Sequence, residues 1–307
     1  MPNTQSIRKF LVLSCSLFSI LLWPVFADAV GQRKALLIGI NDYARPAIPD
    51  LRGAVNDVNR LAEVLQKQMN FPEGNITKLT DQEATRDRIL SELSKLVNST
   101  QKEDVVYIHF SGHGSQVKDL NGDEEDGYDE TFLPYDARQQ GIPDIVDDEF
   151  EQLFNKLASD NVLIVFDSCH SGTVTRSAPA ADPEIAEVQE QIKPRSVEED
   201  PDIENYSHVS TSTRAVVSVD TLEHILMTAA PAEMQALDGP IGDNREFYGI
   251  FSFALVKALE KHGNKATPKQ IHASIKQTLN DMQKRYQFQP PEPQLEISSE
   301  KLNRSLF

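Results

Sequence analysis

Cysteine is nearly absent from this chain: its 307 residues include only Cys15 and Cys169, and tryptophan occurs once. Two cysteines exclude a disulfide framework, and Cys15 sits in a segment expected to be lost. Long apolar runs are also scarce. One covers residues 10–26, behind Arg8 and Lys9 and ahead of the small residues Ala27-Asp28-Ala29. That order reads as a secretory signal peptide over residues 1–29 rather than a membrane anchor, because 17 residues is the short limit for spanning a bilayer. The mature protein is therefore expected to be exported, periplasmic or secreted, with no membrane association. Basic charge is the third shortage, with 30 Lys and Arg against 47 Asp and Glu and a net charge of −17. Such a surface repels a phosphate backbone, which excludes nucleic acid as a partner and suits basic peptides or divalent cations. It also opposes nonspecific association, so a monomer is expected. Cys169 is left as a lone cysteine in an exported chain, either a buried hydrophobe or a thiol kept for its reactivity.

The composition, 39% apolar and 25% charged, is that of a globular protein. Residues 33–40 (RKALLIGI) form a short apolar run typical of a buried strand. From Ala54 the period changes, with Val55, Val58, Ala62, Leu65 and Met69 on one helical face, and Ile89, Leu93, Leu96 and Val97 mark a second helix. Apolar strand runs follow at 105–110 (VVYIHF) and 162–166 (VLIVF), separated by a polar loop and the helix-like DDEFEQLFNKLAS. Strands apolar on both faces and alternating with helices predict an α/β three-layer α/β/α sandwich around a mostly parallel sheet. Residues 177–215 hold four prolines, many acids and no sustained period, and read as a flexible acidic linker. It separates a region at 30–176 from one at 216–307 that completes the same domain. The latter has a strand-like HILMTAA and helices near 249–262 and from Pro268, where Thr267, Pro268 and Gln270 spell a capping box.

Active sites in parallel sheets lie beyond the carboxyl ends of the strands. One strand end gives Ser111-Gly112-His113-Gly114, another Asp167-Ser168-Cys169-His170-Ser171-Gly172. A thiolate and an imidazole near each other in space form a nucleophilic pair. His113 lies 56 residues before Cys169, close to the spacing of roughly 50 in one class of cysteine peptidases. His170 is adjacent in sequence, but successive side chains of an extended segment face opposite ways. His113 is therefore the expected base, and His170 a packing or loop-holding residue. His109, inside its strand, reads as a hydrogen-bonded core histidine.

The stretches SGHGSQ, GDEEDGYDE, IVDDEF and DSCHSG, in this order, resemble the metacaspases, caspase-like cysteine peptidases of family C14. The resemblance is strong over residues 33–176 and looser beyond, where TAAPAEMQALD and GIFSFALVKAL are similar to the family's smaller piece. A compact bacterial type is the nearer match. The resemblance implies a caspase-like fold and a cysteine endopeptidase cutting after Arg or Lys. It implies Cys169 as nucleophile, His113 as proton acceptor and donor, and the amides of Gly114 and Cys169 as the oxyanion hole. Asp57, Ser111 and Asp167 would form the pocket for the basic side chain, in keeping with two carboxylates pairing with a guanidinium or ammonium.

The family's calcium site would map onto Asp129, Asp147 and Asp148. Arg176 stands where a further acidic ligand would be, which argues against a calcium requirement, so no cofactor is expected to be needed. The DLNGDEEDGYDE loop mimics an EF-hand, but it lacks the central glycine and flanking helical patterns. Arg176, Lys193, Arg195 and Arg214 are candidate self-cleavage sites in or beside the linker. Two other classes compete with the peptidase: a catalytically silent caspase-like scaffold, and an acidic calcium-binding protein with an incidental cysteine.

Overall fold

A computed structural model of the chain describes residues 31–119, 122, 124, 127–170, 180–199, 224–231 and 234–307. The leader segment, residues 177–179 and 200–215 of the expected linker, Arg176 and Arg214 lie outside the described residues.

The apolar runs become the inner strands of a six-stranded sheet. Its members are β1 (Arg33–Gly39), β2 (Ile76–Thr80), β3 (Val105–Ser111), β7 (Asn161–Asp167), β9 (Ile225–Thr228) and β12 (Gln294–Glu296), in the spatial order β12-β9-β7-β3-β1-β2. All neighbours are parallel except β12, which runs antiparallel to β9 at one edge.

Strand alternation divides the core between two faces. Ala35 and Leu37 of β1, Tyr107 of β3 and Leu163 and Val165 of β7 pack with helices α1 (Ala54–Met69), α5 (Ile250–His262) and α6 (Pro268–Tyr286). Leu36 and Ile38, Val106, Ile108 and Phe110, and Val162, Ile164 and Phe166 face the other way. They meet α2 (Arg86–Ser99) and α3 (Asp147–Phe154) through Ile89, Leu93, Phe150 and Phe154. The result is the expected caspase-like α/β/α sandwich. The capping box at α6 also forms, Gln270 N–H donating to Thr267 Oγ1 at 3.2 Å and Thr267 N–H to Gln270 Oε1 at 3.1 Å.

Two regions differ from the sequence expectation. The polar loop after β3 contains an antiparallel hairpin of β4 (Gly114–Lys118) and β5 (Tyr128–Phe132), to which β6 (Ile145–Val146) adds. Because the flanks of the acidic loop are strands, the EF-hand likeness has no structural counterpart. The described part of the expected linker, residues 180–199, carries helix α4 (Pro183–Gln191) and the short strand β8 (Lys193–Pro194). Helix α4 starts where Asp182 Oδ1 accepts from Glu184 N–H at 2.9 Å and Pro183 takes the first helical position. Its Val188 is buried in the α1/α5/α6 face of the core. Strand β8 pairs with β10 (Leu237–Ile241), itself hydrogen-bonded to β11 (Glu246–Gly249).

Candidate active site

The carboxyl ends of β3 and β7 lie side by side, with Ser111 in register with Asp167. Both side chains fall on the α1/α5 side of the sheet, two residues along from His109 and Val165 by strand alternation. Asp57 reaches them from the first turn of α1 and accepts a hydrogen bond from Ser111 Oγ at 2.7 Å. The three residues expected to form a basic pocket are thus brought together, all of them buried.

The amino terminus of α5 supports this cluster. Ser252 N–H, in the first turn of α5, donates to Asp167 Oδ2 at 3.0 Å, and Gly249 N–H donates to Asp57 Oδ1 at 3.0 Å. Such amides, with the helix dipole behind them, stabilise a carboxylate that burial alone would neutralise. Burial still pushes the Asp57 and Asp167 carboxyls upward, against the pull of a guanidinium beside them.

That guanidinium belongs to Arg195. Although it comes from the expected linker, its side chain is fully buried, with 0% exposure. Its Nη2 lies 2.8 Å from Asp57 Oδ2 and 2.8 Å from Asp238 Oδ1, and its Nη1 lies 3.1 Å from Asp167 Oδ2 and 2.6 Å from Ser111 Oγ. A planar fork of donors matches carboxylates on several sides in a way an ammonium cannot.

Asp238, on β10, is a pocket residue that the sequence reading did not single out. It also accepts Gly53 N–H at 3.0 Å and Arg52 N–H at 3.2 Å, just ahead of α1. Gly249 is a second: a Cβ there would collide with the Asp167 carboxylate and the Arg195 guanidinium. Asp238 ends the TAAPAEMQALD stretch and Gly249 begins GIFSFALVKAL, so the only sequence signal was the resemblance of those stretches to the smaller piece of a metacaspase.

The backbone of Arg195 is held as firmly as its side chain. Its carbonyl oxygen accepts from Gly114 N–H at 3.0 Å and from Cys169 N–H at 3.2 Å, and its own N–H donates to Ala236 O at 2.9 Å. Before it, Lys193 and Pro194 pair with Asp238 and Leu237 of β10. After it, Val197 N–H donates to Gly114 O at 3.0 Å. Gly114 must be glycine here, because a Cβ would press on the Cys169 carbonyl and the His170 ring. An extended segment therefore crosses the carboxyl end of the sheet with the 195–196 peptide bond beside Cys169. Of the four candidate cleavage sites, Arg195 occupies this place, while Lys193 points outward on β8 and is exposed.

Cys169 is buried, and its thiol donates to Met234 O at 2.8 Å. His113 is buried beside Tyr43, whose hydroxyl accepts the His113 N–H at 2.8 Å. His113 Nε2 lies 2.8 Å from Pro49 O. A carbonyl can only accept, so Nε2 carries the hydrogen and Nδ1 keeps a lone pair, buried without a hydrogen-bond partner. Burial lowers the His113 pKa to about 4, which keeps the ring neutral. His170 faces elsewhere: its Nδ1 lies 3.2 Å from Thr131 O and its ring meets the Phe132 edge at 5.0 Å. His109 bridges Tyr107 OH and Ser252 Oγ inside the core.

Among the expected calcium ligands, Asp147 shares a cluster with Glu124 and Glu130 in which one oxygen of each lies within 4.8 Å of the others. Burial, followed by repulsion from Glu130, Asp148 and Asp129, pushes Asp147 up to about 8. Asp129 and Asp148 are buried nearby. A donor set made only of carboxylate oxygens fits a hard cation such as calcium.

Residues 33–177 match the family described as metacaspase, peptidase C14 domain. The chain is 40% identical over 156 residues to Metacaspase-1 of Botryotinia fuckeliana, covering 48% of this chain and 36% of that protein. It is equally similar to Metacaspase-1A of Aspergillus oryzae, with the same shares covered. The chain thus spans little more than a third of the length of these fungal relatives. In three dimensions it resembles a protein from Geobacter sulfurreducens, with a TM-score of 0.60 at 22% identity over 86% of this chain and 91% of that one. It also resembles caspase-1 from Spodoptera frugiperda, with a TM-score of 0.52 at 11% identity over 88% and 87%. The caspase-like fold extends across most of the chain, and the likeness to the metacaspase peptidase C14 domain covers residues 33–177.

Proposed function

We propose that this protein is a cysteine endopeptidase that cleaves after Arg or Lys, and that its own 195–196 bond is its first substrate. The observation that carries the reading is Arg195 itself, its side chain among three carboxylates and its carbonyl between two amides at the thiol. Cys169 sulfur attacks the Arg195 carbonyl carbon, its proton passing to His113 Nδ1. The amides of Gly114 and Cys169 receive the negative charge that develops on the oxygen. The C–N bond then breaks as His113 returns the proton to the Ser196 amine, leaving a thioester. One water molecule, deprotonated by His113, hydrolyses the thioester to the Arg195 carboxylate and the free thiol.

The basic pocket is the main source of specificity in this scheme. Asp57, Asp167 and Asp238 reject an acidic side chain and favour Arg over Lys, whose single ammonium cannot meet all three at once. The test is hydrolysis of Arg-, Lys- and Asp-ending reporter peptides together with amino-terminal sequencing of the stored protein. A new terminus at Ser196 and a rate order of Arg above Lys, with Asp uncut, are expected. A silent scaffold would give no cut and no hydrolysis, and an acidic calcium binder would respond to chelator only in its folding.

The two histidines should separate in the same assay. His113→Ala is expected to lower kcat/KM on the Arg reporter by about 10²- to 10⁴-fold, the usual worth of a positioned base. His170→Ala should cost less than about tenfold and act mainly on melting temperature, since its ring supports Phe132 and the Thr131 carbonyl. Equal losses would assign the base wrongly.

Calcium is proposed to be dispensable for the chemistry, because no residue of the acidic cluster takes part in the catalytic scheme. A chelator should leave reporter turnover unchanged within about twofold, while calcium raises the melting temperature more at pH 8 than at pH 6. The sign follows from Asp147, which must shed its proton to bind a cation and does so more readily as pH approaches about 8. A tenfold loss of turnover on chelation would reverse this assignment.

We also propose export, on the strength of residues 1–29, and a compact, bacterial-type, monomeric organisation. Among the described residues no helix is long and apolar enough to cross a membrane. Cell fractionation and light scattering test these points.

A further inference from the structure

Beyond the 195–196 bond the chain remains in contact with the protein through residues that the catalytic scheme does not use. Ser115, fully buried on β4, points its Oγ at Val197 O, 2.9 Å away, and at Glu198 O, 3.2 Å away. Arg138 Nη1 donates to the same Glu198 carbonyl at 2.7 Å.

Arg138 is held rigidly for this contact. Its Nη2 lies 2.6 Å from Asp144 Oδ2 and its Nε 3.1 Å from both Asp144 oxygens. Its backbone is pinned in a tight turn, with φ at 59°, by Ile142 O at 2.7 Å, and its carbonyl accepts from Arg45 Nη1 at 2.9 Å. The Val197 side chain packs against the α2/α3 face of the core. The cleft here, about 390 Å³, is lined by Arg45, Ile48, Pro49 and Arg138 together with residues 196–199. The hydrogen bonds that Ser115 and Arg138 give to Val197 and Glu198 go to backbone carbonyls, so they select an extended chain rather than a particular side chain.

We propose that Ser115 and Arg138 form a substrate subsite for the chain that follows the cut, holding the carbonyls of the second and third residues beyond it. This rests on the peptidase reading and extends it to substrate class: bonds at least three residues from a carboxyl terminus, in segments able to lie extended. Arg138 is a binding residue for the leaving segment and Asp144 positions it.

The test uses the full chain already divided after Arg195. The substrates are an Ile-Lys-Pro-Arg aminocoumarin amide, which has no residues past the cut, and quenched peptides that continue it by Ser, Ser-Val, Ser-Val-Glu or Ser-Val-Glu-Glu. With wild-type protein, kcat/KM should rise about tenfold as the series reaches the third residue, mainly through KM, as a charge-assisted hydrogen bond is completed. Ser115→Ala and Arg138→Lys should each erase most of that rise, measured as the ratio of the longest peptide to the coumarin amide. The lysine keeps a cation beside Asp144, and the ratio is insensitive to a general loss of folded enzyme. A flat length series in the wild type, or an unchanged ratio in both variants, overturns the subsite while leaving the peptidase intact. Failure of the wild type to cut any of the substrates overturns the peptidase reading itself, and the subsite with it.

Discussion

A Cys169→Ala chain is expected to remain whole at the 195–196 bond under conditions in which the wild-type chain divides. The geometry explains why the effect should be nearly complete. The Arg195 carbonyl rests between the Gly114 and Cys169 amides at 3.0 and 3.2 Å, so the electrophile is already oriented, and the missing component in the variant is the sulfur alone. Orientation and oxyanion stabilisation retain some catalysis when a nucleophile is lost, yet the residual rate in comparable hydrolases is smaller by several powers of ten. On the Arg reporter a fall of at least about 10³-fold is expected. The backbone amide of residue 169 remains in alanine, so the segment should stay seated and the variant should melt close to the wild type. Mass spectrometry of purified protein, incubated with and without added wild-type enzyme, reads the result. An alanine variant that divides unaided at Arg195 would show that the cut is made by something other than this thiol. Division only when wild-type enzyme is added would show that the cut passes between molecules.

The inner strands and the helices that cover them were legible from the sequence because each carries its period within one short window. Residues 105–110 and 162–166 are apolar on both faces, which only a central strand requires, and Thr267 with Gln270 satisfies a helix start locally. The strands β4, β5, β10 and β11 were not legible. They are short and defined by partners rather than by their own pattern; Pro240, inside β10, argues against a strand when read alone. Helix α4 was hidden for another reason: the acidic, proline-rich composition around it reads as a linker, and the burial of Val188 in the core fixes it as a helix. The same distinction holds in the site. His113, Cys169, Ser111 and Asp167 stand at strand ends, where topology alone places them together. Asp238 and Arg195 enter through side-chain contacts across 28 residues or more, which no local spacing encodes. Four basic residues were equivalent as cleavage sites in the sequence; of the two that lie among the described residues, Arg195 is the one whose carbonyl meets the Cys169 amide.

Removing that side chain should have the largest effect on stability. Arg195→Gln leaves Asp57, Asp167 and Asp238 buried without the guanidinium that lies within 2.8 to 3.1 Å of each. Breaking a buried ion network by deleting one partner typically costs about 3–5 kcal/mol. For a chain of this size that corresponds to a melting temperature lower by roughly 10 °C at pH 8. The sign of the pH dependence is fixed by the carboxyls. Burial raises the Asp57 and Asp167 pKa values in the folded state, and Arg195 restrains that rise. A carboxyl with a raised folded pKa binds more protons folded than unfolded, so stability falls as pH increases through the window between the two values. Without Arg195 the restraint is lost, the window widens, and the deficit relative to wild type should be largest near pH 8 and shrink toward pH 5 as the cluster takes up protons. The variant should also stay uncut at this position. With nothing basic to hold the segment, the pocket should open to an Arg reporter without the lag that displacement or cleavage imposes on the freshly made wild type. Melting curves at pH 5 and pH 8, with reporter progress curves on the same samples, decide the matter. Equal stability at pH 8 would mean that Arg195 does not fill this pocket in solution, and the assignment of the 195–196 bond as first substrate would fall with it.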